Sequence, residues 1–122
     1  MTYEEKVNQT KSDYPFERWQ KGVEFGLEQY TPENCGRLQK IFDDLIADLI
    51  AKGEDAPEQE KVESFRITVE ATNRLNEEIE GLTETGEREQ LCELFNVVSV
   101  AANLNPDDYG EGEGLASEWR EW

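Results

Sequence analysis

Apolar residues recur at intervals of three and four along four separate stretches of this chain, and the segments between those stretches are polar. The first stretch carries Phe16, Trp19, Val23, Leu27 and Tyr30. The second is the longest, with Cys35, Leu38, Ile41, Phe42, Leu45, Ile46, Leu49 and Ile50 in an i, i+3, i+4, i+7 stripe. A third, thinner stripe runs through Val62, Phe65, Val69, Leu75, Ile79 and Leu82, with Thr72 filling a gap on the same face. Each spacing is that of an amphipathic helix burying one side. The fourth stretch, Glu87 to Leu104, is broader: Leu91, Leu94, Phe95, Val98 and Ala102 form the stripe, and Cys92, Val97, Val100 and Ala101 widen it. Only Asn96, Ser99 and Asn103 then remain as a polar line. A helix so widely apolar must be covered on several sides, so it is predicted to be central.

The punctuation agrees with this division. Asp13 is available to cap the first helix and Pro15 is tolerated in its first turn. Gly22 and Gly26 fall inside it, where a close approach of another helix would offset their helix-weakening effect of about 1 kcal/mol each. Thr31-Pro32-Glu33 reads as N-cap, N1 proline and acidic first turn. Lys52-Gly53 is a basic last turn followed by a left-handed terminator. Glu54 to Gln59 is a charged loop with Pro57. A third helix from Glu60 to about Leu82 then turns at Gly81 to Gly86, tightly enough to lie antiparallel to the fourth. Thr85 is the expected cap of that last helix and Asn105-Pro106 its stop. Thr2 and Glu5 are spaced as a capping box, but Tyr3 and Val7 offer little to bury, so residues 1–12 are expected to fray. The fold class is all-α: a compact, four-helix bundle-like single domain over residues 1–122, with an acidic loop and a short terminal helical turn over 105–122.

Charge changes the picture more than length does. Asp and Glu number 29 against 12 Lys and Arg, a formal charge of -17. Such a surface repels nucleic-acid phosphates and anionic lipid, and draws basic partners. The same charge also serves a housekeeping protein whose surface is merely solubilising. No segment reaches the ~20 apolar residues of a membrane span. The first residues lack the basic start and apolar run of a signal peptide, so a cytoplasmic protein is expected.

After Asn105 the sequence NPDDYGEGEG has no periodicity, and LASEWREW follows. Leu115, Trp119 and Trp122 are spaced to share one side of a helical turn that docks on the bundle, with Glu118, Arg120 and Glu121 facing water. The run from Val69 to Asn73, the EREQLCEL of the fourth helix and the acidic linker to Trp119-Arg120-Glu121-Trp122 resemble a group of small acidic bacterial proteins with no assigned activity. The resemblance implies a helical cytoplasmic domain and carries over no functional residue.

Candidate chemistry is narrowed first by the absence of histidine, which removes the commonest general base and metal ligand together with every Ser-His or Cys-His arrangement. Cys35 and Cys92 belong to no C-x-x-C pair and fall on or beside apolar stripes, as buried small hydrophobes do. Asn105, Asp107 and Gly110 match the first, third and sixth positions of a calcium loop. Tyr109 at the fifth and Ala116 at the twelfth break the pattern. Glu60/Glu63 and Glu77/Glu80 have the E-x-x-E spacing of helical nucleotide pyrophosphohydrolases, but on one helix the two pairs stand about 25 Å apart. In that alternative, Asp44 and Asp48 would join Glu77 and Glu80 around a metal ion. The favoured reading is non-catalytic and needs no cofactor. It is an immunity-like, antitoxin-like or adaptor module that binds a basic protein through its acidic surface, with Tyr109, Glu111, Glu113, Trp119 and Trp122 as the binding residues.

Overall fold

The computed structural model describes residues 1–22 and 29–122. It is all-α, with no strand among the described residues, and its helices are α1 (Tyr3–Gln9), α2 (Phe16–Lys21), α3 (Pro32–Lys52), α4 (Glu58–Glu78), α5 (Thr85–Ala101) and α6 (Ala116–Trp119). Val23, Gly26 and Leu27, expected on the first helix, lie outside the described residues.

The α3–α4 pair is the most regular unit. Thr31 Oγ1 accepts the Asn34 N–H at 3.1 Å with Pro32 in the first turn, and Gly53 ends α3 at φ 86°. That left-handed φ is what glycine reaches without a Cβ clash. The 21-residue helix is about 30 Å long, and α4 returns antiparallel along it. The direction shows in the ties: Arg37 near the start of α3 grips Glu78 at the end of α4 with two bonds of 3.1 and 2.6 Å. At the other end Lys52 donates to the Glu60 carbonyl at 2.8 Å and to Ser64 at 2.6 Å.

Between these helices and α5 runs a ladder of rings. Tyr14 meets Phe16 at 5.3 Å, Phe16 meets Phe42 at 5.9 Å, Phe42 meets Phe95 at 4.8 Å, and Phe95 meets Phe65 at 6.4 Å. Trp19 stands edge-on to Phe16 and packs on Tyr30. Pairs of this geometry each add about 0.5–1.5 kcal/mol beyond their buried area. The polar tips leave the core toward acceptors: Tyr14 donates to Asp43 at 2.8 Å, Tyr30 to Glu87 at 2.7 Å, and Trp19 to Gln90 at 2.7 Å. Helix α5 therefore is the wall on which α3 and α4 close. It meets α4 largely through long side chains such as Phe65 against Phe95, a looser neighbour relation than the short connecting turn predicts.

Several local expectations need correcting. Ser99 is fully buried and Val100 is 62% exposed, the reverse of a hydropathy ranking. The helical period forces the swap, and Ser99 satisfies itself by donating to the Phe95 carbonyl at 2.7 Å. Thr85 is the first residue of α5, after Glu84. Pro15, without a side-chain bond, takes the capping position expected of Asp13.

The N-terminal segment does not fray. The Thr2 cap forms, with the Glu5 N–H at 3.1 Å, and both Tyr3 and Val7 are buried. What covers Tyr3 is Lys61, 4% exposed. Its ammonium donates to the carbonyls of Glu54 at 2.8 Å and Ala102 at 3.0 Å, and sits 4.9 Å from the centre of the Tyr3 ring. One cation thus joins α1, the α3–α4 connection and the end of α5.

Two outcomes follow from this packing. Lys61→Met keeps the stem but leaves two inward carbonyls without their donor, and should lower stability by about 2 kcal/mol in urea unfolding followed by circular dichroism. An unchanged midpoint would mean that water replaces the ammonium at no cost. Separately, all four tyrosine hydroxyls are raised above their ordinary pKa of 10.0. Burial comes first for each, followed by a neighbouring carboxylate: Glu54 for Tyr3, Asp43 for Tyr14, Glu87 for Tyr30 and Glu58 for Tyr109. Below pH 10 both folded and unfolded chains hold neutral phenols, so this contribution is fully present. Above it the unfolded chain ionises first and stability falls as pH rises. Native protein at pH 10 should show far less phenolate absorbance than protein in denaturant; equal absorbance would contradict the packing of these rings.

Candidate functional site

The residues after α5 fold into a fixed cleft. Asn105 Oδ1 accepts the Asp107 N–H at 3.1 Å and starts a single 3-10 turn, Pro106–Asp108. The following residues reverse direction through left-handed positions. At Gly114, φ 111°, a Cβ would come within 2.0 Å of Asn96 Oδ1 on α5, so only glycine lets the loop lie against that helix. Tyr109 donates to Glu58 at the start of α4. The Gly110 N–H donates to Glu118 at 2.6 Å, closing the loop on α6.

Helix α6 is too short to carry Trp122, and the chain leaves it at Arg120 in an extended conformation. Asn73 on α4 then takes over. Its Nδ2 donates to the Trp119 carbonyl at 3.0 Å, and its Oδ1 accepts the Glu121 N–H at 3.0 Å. An amide side chain offers one donor and one acceptor in a plane, so this single residue pairs the tail as a neighbouring strand would. Leu115 and Ala116 are buried, while Trp119 and Trp122 pack half-buried on the core. The tail docks on its own bundle, as its spacing predicts, but Trp122 arrives by extended chain and not on a shared helical turn.

Glu111, Glu113, Glu118, Arg120 and Trp122 line an open cleft of about 600 Å³ over Ser117. Arg120 is half-buried and leans on the wall: its guanidinium lies 5.7 Å from the Trp122 ring centre and donates to the Trp122 carbonyl at 3.0 Å. Glu111 and Glu113 enter no ion pair among the described residues. The cleft therefore offers the Glu111 and Glu113 carboxylates, the Ser117 hydroxyl, a ring face and backbone polar groups.

Of the five residues expected to bind a partner, the structure gathers Glu111, Glu113 and Trp122 here. Tyr109 instead ties the loop to α4; its hydroxyl is pushed up to about 12 by burial and by the Glu58 carboxylate. Trp119 packs on the core beside the cleft and serves through its backbone. Glu118 and Arg120 were expected only to face water, and the LASEWREW spacing gives no sign that Glu118 closes on the Gly110 N–H or that Arg120 folds back on Ser117 and Trp122.

The alternative metal set is not assembled. Asp44 pairs with Lys40 at 3.2 Å and Asp48 with Lys52 at 3.2 Å, Asp48 also accepting from Ser64. Glu77 and Glu80 lie exposed at the far end of α4 and its turn. Among the described residues no group of three or more Asp, Glu or Cys is placed to hold a metal ion. The cysteines are unbridged: burial pushes the Cys35 thiol up to about 11 and raises Cys92 despite Arg120 and Arg88 nearby. Among the described residues no helix is long and apolar enough to cross a membrane. Comparison of the chain with protein-family models, curated proteins and solved structures gives no significant match.

Replacing Asn73 with alanine strands the Trp119 carbonyl and the Glu121 N–H, a loss of about 1–3 kcal/mol. Iodide should then quench the fluorescence of Trp119 and Trp122 more strongly, with buried Trp19 as internal control. Unchanged quenching would show that ring packing alone holds the tail.

Proposed function

We propose that the protein is a non-catalytic, cytoplasmic binding module that takes a basic segment of a protein partner into the C-terminal acidic cleft, as an immunity or antitoxin-like inhibitor or an adaptor does. The observation that carries this reading is that Glu111, Glu113 and Glu118 line one cleft with Trp122, against the single cation Arg120. A lysine or arginine entering it would meet carboxylates for its charge and an indole face for its stem. Fixed carboxylates favour recognition because the loop is already held by Tyr109, Glu118 and Asn73, so little ordering entropy remains to be lost on binding. The wider charge of -17 would steer such a partner from a distance and repel nucleic acid.

The test is affinity capture from the native host at low and at high salt, comparing wild type with E111Q/E113Q and Trp122→Ala. Exposed charges are screened over ~8 Å at physiological ionic strength, so a basic protein should be retained at low salt, shed at high salt, and lost with the glutamine pair. Capture that ignores both salt and these substitutions would reject the cleft as the binding site.

A further inference from the structure

Among the described residues Arg120 is the single cation that lines the acidic cleft, and it forms no ion pair there with Glu111, Glu113 or Glu118. Its guanidinium lies instead over the Trp122 ring, 5.7 Å from the ring centre, and donates to the Trp122 carbonyl at 3.0 Å. Its Nε reaches Ser117 Oγ at 3.4 Å, beyond the usual range of an N–H···O bond. A planar cation over an indole and hydrogen-bonded at its edge is what a partner's basic side chain would bring to this wall. A side chain of the same tail already holds that place. The arrangement is incomplete in one respect: the Trp122 indole N–H is out of water and has no acceptor among the described residues. An unmet buried donor weakens the state that strands it. Arg120 therefore keeps its position through one good bond and a face contact, a hold that a second guanidinium can replace in kind.

We propose that Arg120 is an internal occupant of the cleft, and that the partner residue which displaces it is an arginine. This rests on the reading of the cleft as the site for a basic segment. One indole face takes one guanidinium at a time, so Arg120 and the partner's side chain compete for the same wall. Arginine matches what it displaces: it restores the planar contact and the bond to the Trp122 carbonyl, and its remaining N–H donors reach the carboxylates that Arg120 leaves unused. A lysine ammonium is a compact, strongly hydrated point charge. It can pair with Glu111 or Glu113, both exposed, while Arg120 stays where it is, but it does not reproduce the planar contact. Only chains with Arg120 swung off the ring accept the partner's arginine, and the apparent affinity is lowered by that fraction. Such a self-occupied cleft discriminates against basic surfaces that offer charge alone.

Calorimetric titration of the full chain with end-blocked oligoarginine and oligolysine peptides of equal length tests this. R120A should bind oligoarginine at least about tenfold more tightly than wild type does. Its gain for oligolysine should be no larger than the loss of one positive charge gives. R88A measures that charge effect, because Arg88 lies near Cys92 as Arg120 does but does not line the cleft. The Asn73 bonds to the tail backbone do not involve the Arg120 side chain, so R120A should keep its circular dichroism. Iodide should quench its Trp122 more strongly than in wild type, and oligoarginine, but not oligolysine, should reverse that quenching. A gain in R120A no greater than in R88A, or equal gains for the two peptides, overturns the self-occupied cleft and leaves the cleft standing as a cation site. Oligoarginine that fails to bind R120A, or binds it as well after E111Q/E113Q are added, overturns both.

Discussion

A buried ammonium decides how this bundle closes. Lys61 has no carboxylate partner among the described residues, although the chain carries 29 acidic side chains; it is satisfied by two carbonyls and a ring face. Taking an ion out of water costs several kcal/mol. The carbonyl of Ala102 lies at the end of α5, where the helix dipole concentrates negative potential, so part of that cost is offset without a second desolvated charge. The geometry is also demanding. Glu54, Ala102 and Tyr3 come from three separate segments, and the three must converge before the ammonium can leave solvent. Lys61 therefore rewards only the closed arrangement, and it explains why a first helix with just two apolar residues is folded at all.

The rest of the charge is handled differently. Arg37–Glu78, Lys40–Asp44, Lys52–Asp48 and the Arg66 pairs with Glu63 and Glu70 all lie toward solvent, where such pairs are each worth about 0–1 kcal/mol. Arg37–Glu78 bridges α3 and α4, and the others relieve like-charge repulsion along a single helix more than they hold the fold. Cohesion comes from the ring ladder across α2, α3, α4 and α5, which links every long helix through a side chain too large to repack cheaply. The C-terminal loop is treated in the opposite way: its carboxylates are gathered with few cations nearby, and left-handed glycines and backbone hydrogen bonds hold it in place. Charge is balanced where helices must lie together and left unbalanced where the loop faces outward.

This division explains what could be read from the chain. The helices α3, α4 and α5 were legible because their signals are local: a three-four period, the Thr31 cap, the Gly53 terminator. The docking of the tail was legible too, although Trp122 reaches the core by extended chain held at Asn73 and not by the helical turn that the spacing predicts. What failed was what depends on distant partners. Tyr3 and Val7 look too sparse to bury until Lys61 comes over the Tyr3 ring and the bundle closes on Val7, and Val100 looks like core until the period of α5 turns it outward and brings Ser99 in. Nothing near Asn73 announces that its amide will pair with the backbone of Trp119 and Glu121. Glu111, Glu113 and Trp122 share one cleft, as the crowding of acidic and aromatic residues in one stretch suggests. The places of Glu118 and Arg120 in the cleft were not legible, because Glu118 is turned by the Gly110 N–H eight residues back and Arg120 by Ser117 and the Trp122 backbone.

Helix α4 serves the docked tail and its pairing with α3 from different sides. Successive residues advance by about 100°, so Asn73, which holds the tail, stands well away from Ile67 and Ala71, which line the α3 side. Thr68, Val69 and Thr72 between them are buried. The packing that seats α4 in the bundle therefore also separates the two faces, and the tail holds its place without drawing on the ties between α3 and α4.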